Sequence, residues 1–333
     1  MSKIVCFGEA LIDLLAQPPA SADTPRAFLQ YAGGAPANVA VAAARLGADA
    51  HFAGMLGNDM FGDFLLESLA SFGVATDCIA RTGEAKTALA FVALDAHGER
   101  SFSFYRPPAA DLLFRSAHFL PACFDGTGSF HVCSNSLTEA DIAEATFDGM
   151  ARARAAGATV SLDLNLRPAL WPAGVDPAPR LWQALGAADL VKLSQEELDY
   201  LAQPLGGGQA GEAAVRRRIF EGSAHCLVVT DGAARIKWFT RQAAGDVASF
   251  SVTVADTTAA GDAFVGGLLF RLGELRAEVG GFDGFCQCPD AIADAIRFGA
   301  AVGALAVTRK GAFAAMPSLA EVRQLLQEQP GKA

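Results

Sequence analysis

Apolar residues along this chain fall into short continuous runs, and the segments between them carry hydrophobic positions at helical spacing. The runs Lys3–Gly8, Ala50–Gly54, Ser129–Ser134, Ala158–Leu164, Leu190–Leu193 and His225–Thr230 have strand length and read as strands. Pro36–Leu46, Phe61–Phe72, Glu139–Ala156 and Gln195–Leu201 read as helices between them. A strand that is apolar throughout is covered on both faces. The alternation therefore predicts an α/β fold, a doubly wound, mostly parallel sheet with helices on both faces. In such sheets ligands collect beyond the carboxyl ends of the strands, so the residues just after each run are the ones to inspect.

One region breaks the alternation. Thr87–Leu94 and Ser101–Tyr105 flank the turn-rich Asp95–Arg100 without a helix, which is the pattern of a hairpin. Phe28–Tyr31 adds a further extended piece. These predict a small β lid, residues 14–32 and 86–111, on a core of residues 1–13, 33–85 and 112–333. Its open edges and Phe91, Phe102 and Phe104 suit pairing with a second copy, a homodimer, unless the rings pack on the lid itself. Gly206-Gly207-Gly208 reads as a plain loop.

Composition works mainly by exclusion. With 52% of its 333 residues apolar and 19% charged, the chain is too greasy to be disordered. Lys plus Arg number 26 against 36 Asp plus Glu, a net charge of −10, so no nucleic-acid partner is expected. Arg216-Arg217-Arg218, the only basic cluster, reads as a solvated helix face. No membrane partner is expected either: the longest uncharged stretch, Ala27–Ala44, contains Gln30, Gly33, Gly34, Pro36 and Asn38. Glu9 and Asp13 interrupt what otherwise resembles a secretory leader before Ala20-Ser21-Ala22. Seven cysteines without a C-x-x-C pair fit neither a disulfide framework nor a zinc site, which predicts a reduced, cytoplasmic protein.

Two blocks carry chemistry. In Asp256-Thr-Thr-Ala-Ala-Gly-Asp262 small residues run directly into a helical pattern, and a helix N-terminus with unpaired N–H groups is a ready anion site. Asp262, in that first turn, either takes a proton from a hydroxyl nucleophile or merely complements the helix dipole. In Gly33-Gly-Ala-Pro-Ala-Asn38, paired glycines bring main chain close to something small. Asn38 there can donate and accept, as a polyol requires, or it is an ordinary surface residue after a turn. Polar groups also follow three strands: Asp13, then Asp163-Leu-Asn165-Leu-Arg167, then Lys192-Leu-Ser194-Gln-Glu-Glu197, the last matching a capping box. The chain has no G-x-x-x-x-G-K-[ST] and no G-x-G-x-x-G after its first strand, so neither a P-loop enzyme nor a dinucleotide-dependent dehydrogenase is expected.

Together, Gly33-Gly34…Asn38 and Asp256…Gly261-Asp262 resemble the two signatures of the ribokinase-like, or PfkB, family of carbohydrate kinases, in the right order from Ile4 to about Leu325. Gly8-Glu-Ala-Leu-Ile-Asp13, Phe104-Tyr-Arg106-Pro-Pro-Ala-Ala-Asp111 and Asp163–Trp171 look most like bacterial fructokinases. The resemblance implies ATP-dependent phosphorylation of a sugar hydroxymethyl, most closely fructose to fructose 6-phosphate. A sibling kinase for 2-keto-3-deoxygluconate, another sugar or a nucleoside is the alternative; a non-catalytic sugar-binding regulator is the alternative of another class. It further implies Asp262 as base, with Ala259, Ala260 and Gly261 as its anion hole. Asp13, Gly33, Gly34, Asn38, Phe104, Arg106 and Arg167 are implied as sugar-side groups. Lys192, Ser194, Glu197, Thr230 and Gly232 are implied on the nucleotide side. Glu197 is implied to organise magnesium through water, and Asp256, Thr258, Ala306, Arg309 and Gly311 to hold potassium. Ala259 departs from the family's usual Gly, Ser194 from its Asn, and Gly299-Ala300 from a frequent Ala-Asn near the adenine.

Overall fold

The computed structural model describes residues 3–17, 21, 25, 27–94 and 100–330. The chain opens with β1 (Lys3–Phe7), β2 (Leu11–Ala16), β3 (Phe28–Gly33), α1 (Ala35–Arg45), β4 (Ala50–Gly57), α2 (Met60–Ser71) and β5 (Ile79–Thr82). It continues through β6 (Leu89–Leu94), β7 (Arg100–Tyr105), β8 (Thr127–Cys133), α3 (Ala140–Ala155), β9 (Thr159–Asp163), α4 (Ala178–Ala187), β10 (Leu190–Ser194) and α5 (Gln195–Ala202). Then come α6 (Gly208–Glu221), β11 (Cys226–Thr230), β12 (Ile236–Thr240) and β13 (Ala244–Val247). Four helices close the chain: α7 (Ala260–Leu275), α8 (Gly281–Cys286), α9 (Pro289–Ala306) and α10 (Leu319–Glu328).

Nine strands form one sheet in the order β13-β12-β11-β10-β9-β8-β1-β4-β5. From β11 to β5 every neighbouring pair is parallel, and β12 and β13 add an antiparallel edge. Each central strand is buried on both sides because its residues alternate between two cores. Ile4 and Cys6 of β1 join one cluster with α1, α7 and α9; Val5 and Phe7 join the other with α3 and α4. The chain runs outward from β1 to β4 and β5, then returns to the other side of β1 for β8 to β11. That reversal between β1 and β8 opens a crevice at the strand ends, which is where a ligand site is expected.

α7 is buried nearly all round, as a helix without a polar face must be. A side chain on Gly266 would stand 2.5 Å from the Ala42 methyl, so α1 comes hard against α7 at that point. The two helices that open on the crevice are thereby locked together.

The second sheet has four strands in the order β3-β2-β6-β7. β2 pairs antiparallel with β3, with Asp13 opposite Tyr31, and parallel with β6; β6 and β7 form an antiparallel pair from Leu89↔Tyr105 to Leu94↔Arg100. Of the connection expected at Asp95–Arg100, residues 95–99 lie outside the described residues. The small sheet begins at Leu11 rather than after residue 13, and it includes Gly33, because β2 and β3 pair over their whole lengths. Asp13 therefore sits on the small sheet. The Gly206-Gly207-Gly208 loop is also corrected: Gly207 caps α6 and Gly208 is its first residue. Among the described residues no helix is long and apolar enough to cross a membrane.

Candidate active site

α7 begins at the crevice, and Asp262 lies in its first turn, 8% exposed. Asn38, in the first turns of α1, donates its Nδ2–H to Asp262 Oδ2 at 2.7 Å, and Asn165, just past β9, donates to Oδ1 at 3.4 Å. The two sequence blocks thus meet through one hydrogen bond. Burial pushes the Asp262 carboxyl up to about 7; the Asn38 hydrogen bond pulls it down, Asp163 raises it, and Arg167 and Lys192 lower it. A carboxylate poised there can accept a proton from a hydroxyl near neutral pH. The Asn38 Oδ1 is buried and has no hydrogen-bond partner among the described residues. A buried acceptor without a donor is costly, so this atom is positioned to accept from a ligand hydroxyl.

Gly34 shapes the same wall. Its φ of 107° lies in the region that glycine favours, and a side chain there would stand 2.5 Å from the Glu9 carbonyl oxygen. Gly33 is as tight, with the Asp13 carboxylate 2.5 Å from where its side chain would begin. This packing sets Asp13 against the turn that leads to Asn38. Phe104, also expected on the sugar side, packs with Leu11, Ala88, Ala90 and Ala109 at the lid's inner core.

On the opposite wall Lys192 Nζ lies 3.0 Å from both oxygens of Asp163, and a side chain on Gly261 would meet that ammonium at 3.1 Å. Burial works against the Lys192 charge, but Asp163 and Glu197 outweigh it and hold the amine protonated. A buried cation therefore stands beside the main chain that opens α7. Arg167 is exposed, donates to the Leu166 carbonyl and adds positive potential at Asp262. Ala259, which caps α7, has φ 58°, and Asn165 has φ 42°. They are the only two non-glycine residues with positive φ among those described, and both border Asp262. Backbone strain confined to one pocket marks a site whose geometry outranks local comfort.

Ser194 and Glu197 form the capping box of α5: Ser194 Oγ accepts from the Glu197 N–H, and Glu197 Oε2 accepts from the Ser194 N–H at 2.8 Å. Glu197 Oε1 also accepts from the Leu166 N–H at 2.7 Å, tying α5 to the Asp163–Arg167 loop. Thr230 ends β11 with its hydroxyl on the Leu193 carbonyl, and Gly232 turns the chain beyond it with φ 50°. Asp256 joins two loops, accepting from the Thr258 N–H at 2.8 Å and the Gly311 N–H at 3.2 Å. The Ala306 carbonyl accepts from the Arg309 N–H in the second of these loops, while the Arg309 side chain is paired with Glu321. A buried carboxylate beside loop carbonyls is donor chemistry that suits a monovalent cation.

Arg106 is placed differently from the substrate-side cation expected of it. At 2% exposed, it spends its guanidinium on Asp111, on the Asn135 carbonyl and on Thr138. Two polar residues at the strand ends were not singled out for the site by sequence: Glu9 and Asn135. Asn135 lies just past β8 and gives its Nδ2–H to Glu9, leaving a buried Oδ1 without partner among the described residues. The rule that polar groups after strands face the ligand covers both positions, but Ser134-Asn-Ser reads locally as a turn.

The pfkB family carbohydrate kinase model matches residues 1–319. Fructokinase-1 of Zea mays is 39% identical over 327 residues, covering 98% of each chain. The crystal structure of Xylella fastidiosa fructokinase with bound ATP is 61% identical with a TM-score of 0.92, covering 98% of both chains. That of Vibrio cholerae fructokinase with fructose, ADP and calcium is 34% identical with a TM-score of 0.83, covering 98% of this chain and 99% of that one.

Proposed function

The chain belongs to the pfkB family of carbohydrate kinases, and from that premise we propose that it transfers the terminal phosphoryl group of ATP to the 6-hydroxymethyl oxygen of fructose. The observation that carries this reading is the Asn38–Asp262 pair: a proton acceptor at about 7 on one atom's reach from an unpartnered buried acceptor. The names of the relatives at 39% and 61% identity support fructose as the sugar.

In this mechanism Asn38, Asn135, Asp13 and the Gly33-Gly34 turn orient the sugar, and Asp262 accepts the proton of the attacking hydroxyl. The N–H groups of Ala260, Gly261 and Asp262 at the start of α7, with Lys192 and Arg167, face the charge that develops on the transferring phosphoryl group. The small sheet covers the sugar and keeps out competing water. Magnesium bound with the nucleotide would neutralise phosphate charge, and Glu197, whose two oxygens accept from the Leu166 and Ser194 N–H groups, is the residue that would help hold it. Asp256 with the 306–311 loop is the site for potassium, and Thr230 and Gly232 border the nucleotide. All seven cysteines are free thiols, which suits work in the reducing cytoplasm. The lid edges pair two copies into a dimer, favoured by Phe28 and Tyr105 at 45% and 67% exposure.

The test is ADP release against fructose, 2-keto-3-deoxygluconate, ribose and adenosine. Fructose is expected to give the highest kcat/KM. Preference for the sugar acid or the nucleoside, or no turnover of any, overturns the assignment.

A further inference from the structure

Three of the chain's crossings between the small sheet and the core lie close together: Gly8–Ala10 between β1 and β2, Gly33–Ala35 between β3 and α1, and Arg106 just after β7. One buried network meets all three. Glu9 is 1% exposed, and its Oε1 accepts from the Ala35 N–H at 3.2 Å and from Asn135 Nδ2 at 2.9 Å. The Asn135 carbonyl in turn accepts from Arg106 Nη2 at 2.7 Å, and Arg106 grips Asp111 Oδ2 through Nη2 at 2.6 Å and Nε at 2.8 Å. The Glu9 backbone is committed as well, since its carbonyl blocks any side chain on Gly34. Burial pushes the Glu9 carboxyl up, and the Arg106 charge, Asn135 and its own backbone only partly offset that cost, with the Cys133 thiol against both oxygens. An apolar side chain would fill the space, but it would leave the first N–H of α1 without an acceptor.

Resting on the sugar-kinase reading above, we propose that Glu9, tied to the buried Arg106 through Asn135, is a positioning residue that fixes the lid's junctions with the core and so holds Asn38 and the sugar pocket in register with Asp262. Arg106 then acts through Glu9 and Asn135 rather than by touching the sugar. The path is short: Glu9 to the Ala35 N–H, one turn of α1 to Asn38, and Asn38 to Asp262. The nucleotide side, on β10, β11 and the 306–311 loop, takes no part in it.

Steady-state kinetics of Glu9→Asp and Glu9→Gln test this. Asp retains the charge but is one methylene short of reaching both donors, whereas Gln keeps the reach and an acceptor oxygen. Because Asp cannot reach both donors at once, Glu9→Asp is expected to raise the fructose KM about tenfold or more. The ATP KM should stay unchanged, and Glu9→Gln should stay close to wild type. A purely structural residue would lower thermal stability and leave this split absent. The proposal is overturned if Glu9→Asp leaves the fructose KM unchanged, if both KM values rise together, or if Glu9→Gln is impaired equally. Should Glu9→Asp not fold, Ala35→Pro removes the same donor at a helix position that tolerates proline, and it must give the same split. Wild-type activity on another sugar of the panel instead of fructose would overturn the substrate assignment alone, and the split is then read on that sugar. No turnover at all overturns both.

Discussion

At Asp262 burial disfavours charge while Asn38, Arg167 and Lys192 favour it, and burial wins, leaving the group near 7. The active form is the deprotonated one, so kcat/KM is expected to fall as pH drops below about 7 and to level off above it. Asn38→Ala removes a hydrogen bond that favours the carboxylate, so the acid limb should move to higher pH. It also deletes a sugar contact, and the fructose dissociation constant should rise about tenfold. An unmoved limb and an unchanged dissociation constant, by titration calorimetry, would count against the pairing. Because the folded pKa exceeds the ordinary aspartate value of 3.8, the native state binds more protons than the unfolded chain, and this group costs stability as pH rises from about 4 to about 7. Asp262→Asn should therefore raise the melting temperature at pH 8, and the gain should shrink toward pH 4; a gain that grows with acidity would refute the assignment.

At the level of elements, α7 and α1 were legible because proline, glycine runs and apolar spacing are local signals, and both start within a residue or two of the expected points. The capping box of α5 was legible for the same reason. The short strands β5, β12 and β13 were not, since strands of four or five residues with polar positions carry little periodicity. In sequence, Ala259 is only a departure from a usual glycine; the fold reveals its left-handed backbone, φ 58°. An alanine in that region costs roughly 1–2 kcal/mol more than glycine. Ala259→Gly should thus stabilise the protein in urea denaturation by a good part of that amount, and a loss of stability would show that the αL cap is not strained.

For the whole molecule, the parallel sheet, its helices and the separate small sheet followed from the run pattern, and the crevice followed from the rule about strand ends. The Glu9–Arg106–Asp111–Asn135 network did not, because its members are spread from residue 9 to residue 135 and meet only through tertiary packing. The small sheet's open face carries Phe28, Phe91 and Tyr105 in edge-to-face contact, with centroids 5.3 and 5.2 Å apart. A dimer through the edge strands β3 and β7, which carry Phe28 and Tyr105, is expected in sedimentation velocity, and Phe28→Lys should shift it to monomer; a wild-type monomer at micromolar concentration would contradict it.

The central claim is tested most directly by single-turnover phosphorylation of fructose by Asp262→Asn, with saturating ATP. Loss of general base action is worth about 100- to 10,000-fold, so the rate should fall by that factor while fructose still binds. A variant that phosphorylates fructose at close to the wild-type rate would contradict the account.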